Sequence, residues 1–379
     1  MTPNSPDSAP ARYVMIGGFL GAGKTTAVAR LARRLTDQGK RVGLISNDQS
    51  SGLVDTALLR SKGFPVEEIP GGCFCCRFNS LVEAADNLDR STRPDVFIAE
   101  PVGSCTDLVA TVSYPLRRIY GRRFEVAPMS VVVDPTRAAR ILGLEPGPKF
   151  SEKVVYVYRK QLEEADFIVV NKSDAVADEL RGKLVSALAA SFPEAKVFVA
   201  SAKEGTGLDA WFDAIDRVPA RRSPSMELDY DRYAEGEALL GWLNSTVQLS
   251  SEAPFDANEA LVRLAGDLRR RVEAARGEIA HLKMTLDSGD GTGSLSVVSV
   301  VDGDGAPDLR ESLMDKVTGG SLIINLRAEA DPELLKEATE QALASIGSGI
   351  RATVEHLERF RPARPQPVHR MSGPEEGLR

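Results

Sequence analysis

Histidine and cysteine are scarce in this 379-residue chain, with three of the first and four of the second, and three of those cysteines fall within four positions. So few and so clustered, they exclude a disulfide framework and read instead as metal ligands, reactive thiols or buried apolar groups in a reducing compartment. No apolar run approaches the roughly twenty residues of a spanning helix. The first eleven residues, rich in Pro, Ser and Asp, lack the basic-then-apolar order of a secretory signal, so a cytoplasmic location is expected. Basic charge is not in excess either. With 47 Lys and Arg against 54 Asp and Glu, the net charge of -7 gives no general footprint for nucleic acid or for an anionic membrane, and neither is expected as a partner.

Hydrophobic patterning divides the chain. Apolar strand patterns at 13–16, 41–45, 66–69, 96–99, 131–133, 167–170 and 196–199 alternate with helical patterns at 27–35, 80–88, 153–165, 178–191 and 208–217. That alternation predicts an α/β fold with a mainly parallel sheet and helices on both faces, spanning 12–218. Residues 1–11 and 362–379 read as disordered, and 219–235, with prolines, serines and mixed charge, as a linker. A smaller α+β domain is expected at 236–361. Its pattern gives strands at 238–249, 280–286, 295–301, 322–327 and 351–359 and helices at 258–278 and 332–345, close to a ferredoxin-like arrangement with one extra strand.

The first strand runs directly into GGFLGAGKTT, which satisfies G-x-x-x-x-G-K-[ST] with Gly18, Gly23, Lys24 and Thr25. A strand before and a helix after are the context this phosphate loop requires. Gly18, Gly21, Ala22 and Gly23 bring backbone close to phosphate, and the helix N-terminus at Thr26 favours an anion. Lys24 reaches the β- and γ-phosphates, and the Thr25 hydroxyl ligates Mg2+.

The strand at 167–170 ends in Asn171-Lys172-Ser173-Asp174, an N-K-x-D sequence. A carboxylate at Asp174 can accept from both N1–H and the exocyclic amine of guanine, which adenine cannot offer, while Asn171 braces the loop and the Lys172 stem covers the base. Ser201-Ala202-Lys203, after the next strand, supplies a backbone N–H for the guanine oxygen. GTP is the expected nucleotide. At the end of the strand 96–99, Glu100 is expected to hold Mg2+ through water, and Gly103 to let a loop approach the γ-phosphate. Asp48, in the loop after the second strand, is expected to contact Mg2+ or orient the attacking water, or else to cap a turn. Lys24, Asp48 and Glu100 are thus the catalytic candidates. No arginine can be assigned as an in-chain finger, so turnover should be slow.

Gly71-Gly72-Cys73-Phe74-Cys75-Cys76 lies between these loops. Three thiols at this spacing suit zinc or another thiophilic ion, with water or another side chain in the fourth position; a reduced, buried cluster at a tight turn is the alternative. Cys105 is either a fourth ligand or a small apolar filler. The order GGFLGAGKTT, GGCFCC, EPVG and NKSD resembles the CobW-like metal-related GTPases, relatives of the nickel-insertion GTPases of urease and hydrogenase. The resemblance covers roughly 12–218. It implies slow GTP hydrolysis coupled to binding and delivery of a metal, zinc, cobalt or similar, to a recipient protein, with Cys73, Cys75 and Cys76 as ligands. Two departures stand out: Asn47-Asp48-Gln49 replaces a Glu-Asn-Glu-type acidic pattern, and the His-rich segment of many members is absent. The sequence leaves a homodimer open, and also a GTP-dependent interaction switch in which the cysteines are structural.

Overall fold

The structure, a computed structural model, describes residues 9–49, 54–221, 224–301 and 306–373. Residues 1–8 and 374–379, within the segments expected to be disordered, lie outside the described residues, as do 222 and 223 of the expected linker.

The first sheet contains β1 (Ala11–Gly17), β2 (Val42–Asn47), β3 (Val66–Ile69), β4 (Val96–Glu100), β5 (Phe124–Val126), β6 (Ser130–Val133), β7 (Phe167–Val170) and β8 (Lys196–Val199). Its spatial order is β3-β2-β4-β1-β6-β7-β8, with β5 beside β1, and every pairing is parallel. Helices α1 (Lys24–Asp37), α2 (Val54–Ser61) and α3 (Phe78–Ser91) connect its early strands. The central strands β4, β6 and β7 are almost wholly apolar because both faces are covered. Tyr13 and Met15 of β1 point into one core with Phe97 and Ile168, whereas Val14 and Ile16 point into the other with Ile98 and Val169. The period-two alternation of a strand therefore feeds two layers of helices. β5 has no counterpart in the strands expected from sequence; at three residues it gives almost no periodic signal.

The second sheet contains β9 (Leu240–Phe255), β10 (Glu278–Asp287), β11 (Leu295–Val300), β12 (Asp308–Glu311), β13 (Val317–Glu329) and β14 (Ile350–Phe360), in the order β12-β11-β10-β13-β9-β14. All its pairings are antiparallel. Helices Ala257–Ala274 and Pro332–Ala344 cover one face through Leu261, Leu264, Leu268 and Leu335. β12 is an addition to the expected strand order, polar and at the sheet edge.

Two segments differ from their sequence reading. Helix Tyr230–Ala238 occupies part of the expected linker, capped by the Asp229 carboxylate, which accepts from the N–H groups of Asp231 and Arg232. The Pro-rich stretch after residue 361 is not free: up to residue 373 it lies in extended contact with the first domain. Val368 N–H donates to Cys75 O at 2.9 Å, Met371 N–H to Ala110 O at 2.9 Å, and Arg370 pairs with Asp107 at 2.8 Å. Composition argued for disorder because proline removes donors, yet the non-proline residues between supply the ones that bind.

Candidate nucleotide and metal site

The phosphate loop emerges from the carboxyl end of β1, the ligand edge of a parallel sheet. Gly23 caps α1 at φ +93°, and a Cβ there would meet Asn171 Nδ2 at 2.4 Å, so a side chain is excluded twice over. Asn171 donates from Nδ2 to Ala22 O at 2.8 Å and accepts the Ala202 N–H at 2.9 Å. Lys172 Nζ donates to Gly21 O and to Asp134, both at 2.8 Å. The N-K-x-D segment thus braces the phosphate loop through its carbonyls, and Asp174 stands exposed beside it. Ser201 is fully buried. Ala202 departs from its expected role: its N–H is spent on Asn171, so it ties two loops together instead of offering a free donor.

Lys24 and Thr25 are buried at the mouth of α1. Thr25 Oγ1 lies 3.0 Å from Glu100 Oε1 and 2.8 Å from Asp55 Oδ1. Glu100 Oε2 is buried without a partner. A hydroxyl, two carboxylates and one orphaned oxygen form the hard-oxygen donor set that Mg2+ selects, so these residues fit that ion. Burial, reinforced by the Asp55 charge, pushes the Glu100 carboxyl up to about 7. Burial likewise lowers the Lys24 ammonium, which the Glu100 charge only partly restores.

Asp48 accepts the N–H of Gln49 in its own turn at 2.6 Å, and its charge acts on Lys24. Its carboxylate accepts from Arg327 at 3.3 Å and has no hydrogen bond to Thr25; burial raises its carboxyl, and Arg327 offsets that only in part. The second carboxylate on Thr25, beside Glu100, is Asp55 at the start of α2, which sequence reasoning missed. Burial acts to raise the Asp55 carboxyl, but the adjacent Lys283 ammonium outweighs it and holds it below the usual range. Gly103 approaches the phosphate loop from the side: a Cβ there would sit 2.9 Å from Leu20 N. Its closeness is to Leu20, and it is absent from the cavity wall at Lys24 and Thr25.

The cysteine loop follows β3, which β2 and β4 separate from β1. Cys73 O accepts the N–H of Cys76 and of Arg77, curling the thiols into a turn at the entrance of α3. The Sγ atoms lie 2.9 Å (Cys73–Cys75), 3.2 Å (Cys73–Cys76) and 3.7 Å (Cys75–Cys76) apart. Tetrahedral zinc at about 2.3 Å from each sulfur needs separations of about 3.8 Å, so the trio fits after Cys73 shifts by less than about 1 Å. Among the described residues, the three thiols form a group with all ligand atoms within 4.8 Å. S–H donation from Cys105, Cys75 and Cys76 holds the Cys73 thiol well below its ordinary range, whereas hydrogen bonding to that thiolate raises Cys75 and holds Cys76 up at about 11. Cys105 is buried and serves the Cys73 sulfur. Asn47, the last residue of β2, donates from Nδ2 to Ile69 O at 2.9 Å and Gly72 O at 2.7 Å, joining the Asp48 loop to the thiol turn. From the C-terminal segment, Gln366 N–H donates to Cys76 Sγ at 3.1 Å.

A family profile described as the nucleotide-binding domain of CobW/HypB/UreG matches residues 12–199. The chain belongs to the CobW/HypB/UreG family. It is 32% identical over 171 residues to the zinc chaperone YeiR of Escherichia coli (strain K12), covering 44% of this chain and 48% of that one. It is 30% identical over 186 residues to the zinc chaperone CobW of a Sinorhizobium species, covering 43% and 51%. The chain thus spans about half the length of these curated relatives. A longer match, 27% identical over 281 residues, covers 71% of this chain and 78% of the probable GTPase Mb1533 of Mycobacterium bovis. Among the described residues, no helix is long and apolar enough to cross a membrane.

Proposed function

We propose that this CobW/HypB/UreG-family chain is a cytoplasmic GTPase that binds GTP with Mg2+, hydrolyses it slowly, and couples that cycle to binding a thiophilic metal and delivering it to a recipient protein. Zinc is the first choice of cargo, supported by the three-thiol donor set and by the zinc chaperones the chain resembles; cobalt or a similar ion is second. Lys24 neutralises phosphate charge. Thr25, Glu100 and Asp55 would hold Mg2+, which when bound supplies positive charge against the β- and γ-phosphates. Asp174 would read guanine, with Asn171 and Lys172 holding its loop.

The observation that carries the coupling is the Asn47 side chain. It ties the end of β2, one residue before Asp48, to Gly72, one residue before Cys73. A shift of the β2 loop on triphosphate binding therefore moves the thiol turn, and linkage makes the effect mutual. The test is zinc titration with and without GTP and Mg2+, paired with GTP titration with and without zinc, thiols reduced. Tightening by the same factor in both directions is expected. Zinc binding indifferent to nucleotide would overturn the coupling. The interaction-switch alternative, with structural cysteines, draws on the C-terminal segment lying over the thiols; absence of zinc binding in either state would select it.

A further inference from the structure

The phosphate cavity has a second wall that belongs to no motif. In β10, Leu282, Met284 and Leu286 point into the core of the second domain, so Lys283 points away from it, and a register shift between Ile279 and His281 brings His281 to the same side. In β13, Leu322, Ile324 and Leu326 are the core residues and Asn325 and Arg327 the alternates. This polar face lies against the ligand edge of the first sheet. The cavity between them, about 470 Å³, is lined by Gly23, Lys24 and Thr25 on one side and by His281 and Lys283 on the other. Contact is close: a Cβ on Gly21 would sit 3.0 Å from Ala280 O.

Lys283 Nζ is 2.6 Å from each carboxylate oxygen of Asp55, whose Oδ1 is 2.8 Å from Thr25 Oγ1. An ammonium from the second domain is therefore one carboxylate removed from the residue that meets the metal and terminal phosphate. The other cations lining the cavity have partners of their own: Arg30 donates to Ala202 O and Lys203 O, Arg33 lies over the Phe64 ring, Lys62 pairs with Glu311, and Lys203 and Arg310 pair with Asp308. Phosphoryl transfer is accelerated mainly by positive charge placed against the transferred group, supplied in many GTPases by an arginine finger. Lys283 can give Asp55 at most two of its three N–H donors, so at least one remains for a ligand in the cavity that it shares with Lys24.

We infer that Lys283 is the cation which the second domain supplies in cis to the γ-phosphate, so that this domain distinguishes triphosphate from diphosphate. The inference rests on the GTP reading above. It is tested by titrating the full-length protein, with Mg2+, against GDP and a non-hydrolysable GTP analogue, for wild type, Lys283→Ala, Lys283→Gln and Lys283→Arg, alongside steady-state hydrolysis. Expected are a roughly 100-fold loss of analogue affinity in Lys283→Ala and Lys283→Gln, as for removal of one partner of a buried charge pair, GDP affinity within about twofold, and partial recovery in Lys283→Arg. Lys283→Gln retains most of the side-chain volume, and melting temperatures separate folding from binding. Equal loss of GDP and analogue affinity, or no loss of either, overturns the inference while wild type still binds GTP. Failure of wild type to bind GTP overturns the reading beneath it.

Discussion

The phosphate loop and the thiol loop leave the same sheet edge, yet they are held in different ways. The phosphate loop is fixed from below and beside by residues of its own domain: Asn171 on Ala22 O, Lys172 on Gly21 O and the α1 entrance at Gly23. The thiol loop hangs between three sources: Asn47 on Gly72 O, Arg77 on Gly71 O, and the C-terminal segment on Cys75 O and Cys76 Sγ. A loop fixed by its own domain can bind a constant ligand at constant geometry. A loop shared among distant segments can change its affinity when any of them moves, which is what a site that both captures and releases a metal requires.

Substitutions on the two loops should separate cleanly. The largest effects belong to the phosphate side. Lys24→Ala should weaken GTP at least about 100-fold, and Asp174→Asn should cut the GTP-over-ATP preference by a similar factor while favouring xanthosine nucleotides. Zinc affinity of the nucleotide-free protein should stay unchanged in both, as read by competition with a chelating dye. If zinc affinity falls with Lys24→Ala in the absence of nucleotide, the loops are not independent. On the other side, Cys75→Ser should weaken zinc by more than about 100-fold, beyond what loss of an outer hydrogen-bond partner costs, and leave GTP affinity within about twofold. A Cys75→Ser protein whose GTP affinity still responds to zinc would remove the thiols from the coupling.

Protonation sharpens the contrast. The Glu100 carboxyl lies near 7 in the fold against an ordinary value of 4.5, so between these values the native state holds the extra proton. Its contribution to stability therefore falls as pH rises from about 4.5 to about 7. Mg2+ needs the carboxylate, so Mg2+ affinity in the presence of nucleotide should climb by up to about tenfold per pH unit below 7 and level off above it. Glu100→Gln should bind Mg2+ weakly and without that rise. A wild-type profile flat from pH 5.5 to pH 8, as measured by calorimetry, would contradict the buried, unpaired state of Oε2. The smallest effect concerns the cover on the thiols. Ending the chain after residue 362 removes the two hydrogen bonds that reach the cysteine loop, each worth about 1 kcal/mol, together with the anchors at Arg370 and Met371, and should speed thiol labelling about tenfold with GTP affinity nearly constant. Labelling at the wild-type rate would show that the cover does not govern access.

The parallel sheet, and the meeting of the G-x-x-x-x-G-K-[ST] and N-K-x-D segments at its edge, were legible in sequence because each signal is local. Ten consecutive residues carry the phosphate-loop motif, four carry the N-K-x-D segment, and strand periodicity gives the sheet edge on which they meet. Glu100 was legible because it ends a five-residue apolar strand. Asp55 was not, since a lone carboxylate at the start of a short helix carries no pattern, and its relation to Thr25 exists only once α2 folds back. For Asp48 the end of a strand puts a side chain near the edge without fixing its partner; Arg327, stacked at 4.0 Å on Trp242, pairs with it. Lys283 sits in a strand of ordinary alternation, so its face was readable but what that face meets was not. The ordered stretch after residue 361 is a case of tertiary contact overriding composition.

That stretch also bears on the order of events when the chain folds. The bond from Gln366 to Cys76 joins residues 290 positions apart, whereas the bonds that fix the phosphate loop, Asn171 on Ala22 O and Lys172 on Gly21 O, span 149 and 151. Long closures are slow because chain entropy is lost before the contact rewards it. The phosphate side can therefore organise while the three thiols still face water, and zinc offered to a folding chain meets an open turn where zinc offered to a finished one meets a covered turn.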